Sequence, residues 1–394
     1  MLAGRNIICL ASNWFFDPTS KHHIMTRLAE RNHIVWVNYH GSRRVRVSGA
    51  DMKSVVSRLG QVFRGPRDAA PGITVLTPII LPWPGSGSVR RLNRVILVRQ
   101  IRKVLRRLPD RPVQVWSFAP DVSHLAGQFG EECLIYYCVD EFSEFAGYDS
   151  ELISGLEKEL IARADLVITT SRGLQTSKQS LHPQTHLVTH GVDYDHFARA
   201  RDPGTPVPPD VANLPRPILG FFGLIRDWVD LDLLSHVAKR RPDWSIVLIG
   251  EGGDETGVCT GLSNVYFLGR RPYAELPGYC RAFDVGLIPF RVNELTRHVN
   301  PIKLREYLAA GLPVVSTPLP EVIACGSLVE IADGTDAFIA ACERAMAGNS
   351  PDHVARRQTA MQQETWAAKV EHLSRLVEGV LSPSVSQVTG GEGR

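Results

Sequence analysis

Mostly apolar runs of roughly four to eight residues recur along the chain at 6–11, 33–38, 73–80, 113–118, 133–138, 165–170 and 186–190. They return at 218–222, 244–250, 265–268, 284–289 and 312–316. Continuous apolar runs, unlike alternating ones, predict strands buried on both faces, which is the signature of parallel sheets covered by helices. Helical periodicity fills the gaps. Thr19 or Ser20 caps a helix whose Ile24, Met25 and Leu28 share one face. Further helices are predicted over 89–111, 152–163, from Ser171 and Gly173, over 336–347 and over 366–381. Strand-helix alternation across the whole chain predicts an α/β protein of doubly wound parallel sheets. No G-x-G-x-x-G follows the first strand, so a dinucleotide site of that type is not supported.

The stretch HVNPIKLREYLAAGLPVVST, residues 298–317, carries the densest chemistry. Asn300-Pro301 opens a helix, since proline is tolerated in a first turn whose N–H groups lack partners anyway. Leu304, Tyr307 and Leu308 form its buried stripe, and Gly311 stands where a helix ends in the left-handed conformation. The amino-terminal N–H groups, the positive end of the helix dipole and Lys303 favour phosphate, while Glu306 can accept two hydrogen bonds from a vicinal diol such as ribose. A lone Lys and Glu at this spacing are usually solvated helix residues, so the context decides.

That context is a resemblance. NPIKLREYLAAGLPVVST resembles the nucleotide-sugar motif of GT-B glycosyltransferases, particularly those near family 4, and HGVDYDHF (190–197) and ILGFFGLIRDWVDLDLL (218–234) are similar to other stretches of that family. The resemblance implies two Rossmann-like domains facing a cleft and a nucleoside-diphosphate sugar donor, UDP or GDP, without a further cofactor. Donor-binding residues by this resemblance are Gly223, Arg226, Arg271, Asn300, Lys303 and Glu306. One departure stands out. Retaining members carry a glutamate eight residues before the position of Glu306; here it is His298, with Glu294 four residues earlier, which leaves both retaining and inverting chemistry open.

YYCVDEF (136–142) resembles polysaccharide-assembly glycosyltransferases of the teichuronic-acid or xanthan type, in which an aspartate past a strand end is a candidate catalytic base. Asp140 is that residue here, at the carboxyl end of a parallel strand, where ligands bind. His22 and His23, in the first turn after the first strand, are weaker candidates for a base, because imidazole titrates near neutral pH. Capping or surface roles are the ordinary alternatives for all three.

Length then sets the domain plan. A chain of 394 residues exceeds one ordinary core. The expected organisation is an acceptor-binding domain at 1–205, a linker at 206–217, a nucleotide-sugar domain at 218–365, a helix at 366–381 crossing back to the first domain, and a disordered tail at 382–394. The linker rests on six prolines in the seventeen residues of 201–217, and the tail on its Ser, Gly and Pro content.

Composition changes less. With 44% hydrophobic and 22% charged residues the chain reads as soluble and globular, and seven cysteines without metal-ligand spacing argue against zinc or a disulfide framework. Asp193/Asp195 and Asp230/Asp232 are weak Asp-x-Asp matches, and no metal is expected to be required. The net charge of +3 is small but uneven: 89–111 holds nine Lys and Arg against one Asp. A basic amphipathic helix of this kind is a candidate for an anionic membrane surface, alongside the plainer reading of a core helix with a solvated basic face. No nucleic-acid motif accompanies it. Arginines (Arg43, Arg44, Arg46, Arg58, Arg64, Arg67) are scattered through a Gly- and Ser-containing region, and the loop LPWPGSGS (81–88) after it is a candidate acceptor or membrane contact. No spanning segment or signal peptide is evident, so a cytosolic protein, peripheral at the inner membrane face, is expected.

The expected activity is therefore sugar transfer to a saccharide or lipid-linked acceptor in cell-surface or exopolysaccharide synthesis. Two alternatives remain open at this point: a sugar-nucleotide epimerase of the same fold, and a non-catalytic nucleotide-sugar-binding assembly protein.

Overall fold

The computed structural model describes residues 1–39, 65–81 and 86–382. The arginine-rich stretch from Arg43 to Arg64, most of the LPWPGSGS loop and the tail beyond Ser382 lie outside the described residues.

Two sheets form. The first contains β1 (Asn6–Ala11), β2 (His33–Asn38), β3 (Arg67–Ala70), β4 (Ile73–Leu76), β5 (Val113–Ser117), β6 (Cys133–Cys138), β7 (Leu166–Thr169) and β8 (Thr185–Leu187), in the order β3-β4-β2-β1-β5-β6-β7-β8. All neighbours are parallel except β3, which runs antiparallel to β4 at the edge. The second contains β9 (Ile218–Phe222), β10 (Ser245–Ile249), β11 (Val265–Gly269), β12 (Val285–Ile288), β13 (Val314–Ser316) and β14 (Glu330–Ile331), all parallel, in the order β11-β10-β9-β12-β13-β14. In both, the strand order reverses beside the first strand, and the crevice beyond the strands' carboxyl ends at that switch is where such sheets bind ligands.

The apolar runs become strands because helices cover both faces. β1, β6, β9 and β10 are buried at every position. Helix Ser20–Ala29 buries Ile24, Met25 and Leu28, as its period requires. β3 was not foreseen: RDAA has little strand character, and its pairing at an edge comes from its neighbour rather than its own propensity.

Helix Trp366–Leu381 belongs by sequence to the end of the chain and by packing to the beginning. Trp366, Val370, Leu373 and Val377 sit in the first sheet's core with Ile24, Met25 and Leu28. The backbone stitches the crossing: Val192 N–H donates to Glu364 O at 2.9 Å and Trp366 N–H to Val192 O at 3.2 Å.

The expected boundary at 206–217 needs correction. Val188 packs in the first core, whereas Val192, Phe197, Ala200 and Val211 pack in the second. The chain therefore crosses between Val188 and Val192. The proline-rich segment is part of the second half, where it contains the short helix Pro209–Ala212 and lets Gly278 approach the Pro206 carbonyl and the Pro208 ring. Prolines deny a segment regular hydrogen bonding, but they do not stop it from packing.

Candidate active site

In the second half the site begins where β9 ends. Gly223 has φ +140° and Gly250, past the end of β10, has φ +147°, both in the region that favours glycine. The two loops touch backbone to backbone, so that a Cβ on Gly250 would overlap the Gly223 carbonyl. The bare face of Gly223 receives another group: a Cβ there would overlap Cε and Nζ of Lys303.

Lys303 lies in the first turn of helix Ile302–Ala309, with Pro301 as its extended N-cap and Gly311 at φ +70° beyond its end, as expected. The helix is anchored by Tyr307, fully buried, whose hydroxyl accepts the Phe222 N–H at 3.1 Å. Glu306 is 7% exposed. Burial pushes its carboxyl up to about 7, against the attraction of Lys303 and with the repulsion of Asp193 added. Burial likewise lowers the Lys303 ammonium, which Glu306 partly offsets. A cation and an acid held short of solvent beside a helix amino terminus suit a ligand bearing both phosphate and hydroxyl groups. Arg226 ties the neighbouring loops together, donating to the carbonyls of Ile225 at 3.1 Å and Glu251 at 3.2 Å.

In the first half Asp140 stands two residues past the end of β6. Burial pushes its carboxyl up to about 7, while the Lys21 ammonium pulls the other way. Lys21 follows the N-terminal residue of helix Ser20–Ala29, and burial lowers its own pKa against the pull of Asp140. Sequence reading missed Lys21: one lysine in a polar first turn carries no signal until β1 and β6 are placed in one sheet. The turn after Asp140 reaches the second half, where Phe145 meets Trp228 of the loop after β9 edge-on, with ring centroids 6.2 Å apart. Arg270 bridges the halves again, to Asp17 at 2.8 Å.

A buried polar seam joins the halves. Asn300, 4% exposed, donates to Thr170 O at 2.7 Å, and its own carbonyl accepts from Arg305 at 2.6 Å. Glu321, 7% exposed, accepts the Arg172 N–H at 2.8 Å and so caps helix Arg172–Gln179 from the other half. His298 lies where a Cβ on Gly173 would stand 2.5 Å from its Nδ1. Its Nε2 is 3.4 Å from Glu294 Oε1, so a carboxylate does stand beside His298, behind the imidazole.

Several expected site residues are placed elsewhere. His22 is 6% exposed and packs between Trp14 and Trp36. Its Nδ1 accepts the Thr19 N–H at 3.1 Å and its Nε2 donates to Trp14 O at 3.1 Å. Burial, then Lys21, push it down to about 3, so it is a neutral capping group with no nitrogen left to take a proton. His23 is at the junction of the halves but stacks on Trp366, centroids 5.1 Å apart, and burial followed by Arg27 lowers it to about 4. Arg271 is engaged by Asp210 at 2.8 Å and the Tyr279 hydroxyl at 2.8 Å. Asn300 is consumed by the seam. The Asp230/Asp232 pair has local roles as well: Asp230 caps helix Leu231–Arg240, and Asp232 pairs with Arg291 at 2.6 Å. Among the described residues no three His, Cys, Asp or Glu side chains converge as metal ligands.

Comparison with known proteins fits this geometry. Residues 216–348, which include β9, Gly223, Lys303 and Glu306, match the sequence model for "Glycosyl transferases group 1". The chain is 27% identical over 259 residues to TuaH of Bacillus subtilis, described as a teichuronic acid biosynthesis glycosyltransferase; the match spans 60% of this chain and 64% of that protein. It is 26% identical over 292 residues to a GDP-mannose-dependent α-mannosyltransferase of Mycolicibacterium smegmatis, spanning 67% of this chain and 75% of that one. Among solved folds, a sucrose-phosphate synthase from Thermosynechococcus elongatus superposes with TM-score 0.69 at 14% identity, covering 96% of this chain and 100% of that one. Anabaena HepE, solved with UDP and glucose, gives 0.67 at 14% identity, covering 95% and 99%. Residues 216–348 thus match the group 1 glycosyltransferases, and the chain as a whole has the GT-B fold.

Proposed function

We propose that the protein transfers a hexosyl group from a nucleoside-diphosphate sugar, UDP- or GDP-linked, to a saccharide or lipid-linked acceptor in cell-surface polysaccharide synthesis, without a required metal. The observation that carries this reading is the packing of Lys303 onto Gly223 with Glu306 one turn further along. The first two groups and the helix amino terminus meet the diphosphate, and Glu306 meets the ribose. Lys303, with Arg226 close by, stabilises the charge that develops on the departing diphosphate. Asp140, ionised, takes the proton from the attacking hydroxyl.

The relatives support the substrate classes. One is described as a teichuronic acid biosynthesis enzyme, another as GDP-mannose-dependent, and HepE was solved with UDP-glucose. A membrane-linked acceptor is supported by helix Gly87–Leu105, whose solvent side exposes Arg91, Leu92, Val95, Arg99, Arg102 and Lys103. Among the described residues no helix is long and apolar enough to cross a membrane.

The test is calorimetric titration with UDP, GDP, ADP and dTDP, followed by transfer assays with the sugar donor of whichever binds. One diphosphate binding well, more weakly to Lys303→Ala and Glu306→Ala, is the expected result. No binding by any of them ends this reading. Turnover of the donor without any need for an acceptor would favour the epimerase alternative instead.

A further inference from the structure

Beneath the turn that carries Asp140 lies a buried ion triad that the proposed chemistry does not use. Lys178, 5% exposed, projects from the last turn of helix Arg172–Gln179. Its Nζ is 2.9 Å from Glu141 Oε2 and 2.7 Å from Glu157 Oε2. Glu157, 3% exposed on helix Ser150–Ile161, also accepts the Tyr136 hydroxyl at 2.6 Å and faces the Cys138 thiol at 3.7 Å. The other oxygen of Glu141 accepts the Ser143 hydroxyl at 2.8 Å.

Such an arrangement is a poor way to gain stability. Taking a lysine and two carboxylates out of water costs several kcal/mol per ion, and apolar packing of the same volume commonly does as well or better. A fully satisfied buried network does fix one geometry, because each member has its partners in only one arrangement. This network joins three elements: the end of β6, helix Ser150–Ile161 and helix Arg172–Gln179. Glu141, its most exposed member, is the residue immediately after Asp140, whose own carboxylate makes no hydrogen bond among the described residues.

We infer that Lys178 is a positioning residue which, anchored on Glu157, grips Glu141 and thereby holds Asp140 in register with the attacking hydroxyl. The inference rests on Asp140 being the base. Lys178 touches no substrate; it acts by denying the turn other conformations.

The experiment compares Lys178→Met, Lys178→Arg, Glu141→Gln and Asp140→Asn in the full chain. Two readouts are needed: affinity for UDP and GDP, and diphosphate release from UDP-glucose and GDP-mannose with water and octyl glucoside as acceptors. A misplacement of about 1 Å can cost on the order of 100-fold in rate, so Lys178→Met should lower kcat at least about tenfold. Its diphosphate affinity should stay within about twofold of wild type, because that site is in the other half, and Lys178→Arg should recover part of the rate. Glu141→Gln cuts the grip at its solvent end and leaves the Lys178–Glu157 pair in place. It should show the same kcat loss even if Lys178→Met folds poorly. Wild-type kcat in Glu141→Gln, or in a folded Lys178→Met, overturns the inference. Full turnover by Asp140→Asn instead overturns the assignment of the base, whatever the triad variants do.

Discussion

Lys303 rests on the bare Cα of Gly223, so closely that the smallest side chain there would occupy the space of its Cε and Nζ. The glycine thus makes room for the cation as well as for the turn. Gly223→Ala should weaken nucleoside-diphosphate binding about as much as Lys303→Ala, each by roughly 10- to 100-fold, the worth of a hydrogen bond to a charged group. Gly223→Ala should also lower the melting temperature, because φ +140° strains any L side chain. Calorimetry and thermal unfolding check both. An alanine variant binding as tightly as wild type would remove Lys303 from the diphosphate site.

The pH dependence follows from Asp140. Its carboxyl is pushed up to about 7 by burial, and only the ionised form can accept a proton. Turnover should therefore rise with pH through an apparent pKa near 7. Lys21 lowers that value, so Lys21→Met should move the rising limb to higher pH. A limb that stays in place would separate Lys21 from the base.

Stability should run the other way over the same range. The folded-state pKa values of Asp140 and Glu306 lie above their unfolded values, so between about pH 4 and 7 the folded protein binds more protons than the unfolded one. The contribution of both groups is fully present at the acid end and is lost as pH rises through about 7. Asp140→Asn should flatten part of that decline in melting temperature measured across pH 5–8. An unchanged slope would mean that the fold does not raise this carboxyl's pKa.

Glu306 makes a prediction about the ribose hydroxyls rather than charge. If it accepts from the ribose diol, wild type should prefer ribonucleoside over 2′-deoxyribonucleoside diphosphates, and Glu306→Ala should bind both about equally weakly. Parallel titrations with UDP and dUDP measure this. Retained discrimination in the variant would assign the ribose contact to another residue.

Trp366 is 1% exposed and closes the return crossing: it stacks on His23, and a Cβ on Gly191 would stand 2.8 Å from its backbone nitrogen. Trp366→Ala should cost about 3–5 kcal/mol, as large-to-small changes in cores do. The loss should appear in denaturant unfolding of the whole chain. A loss below about 1 kcal/mol would mean that the first half is stable without its final helix.

What the chain determined alone is the part governed by local rules. Continuous apolar runs are strands only in covered parallel sheets, so β1, β2, β6 and β9 were legible to the residue, and the period of 366–381 gave that helix both ends. Proline before and glycine after set the limits of helix Ile302–Ala309, and with them the placement of Lys303 and Glu306 one turn apart. Tertiary structure decided which polar side chains were free. His22 looks outward on a helical projection, yet Trp14 and Trp36 enclose it; Asn300 and Arg271 face the site by motif, yet Thr170 and Asp210 take their hydrogen bonds. Lys21 gained a role only because β1 and β6 share a sheet that brings it to Asp140. Periodicity reports how a residue relates to its own element over a few positions, whereas a side chain's partner and protonation depend on groups that other elements bring to it.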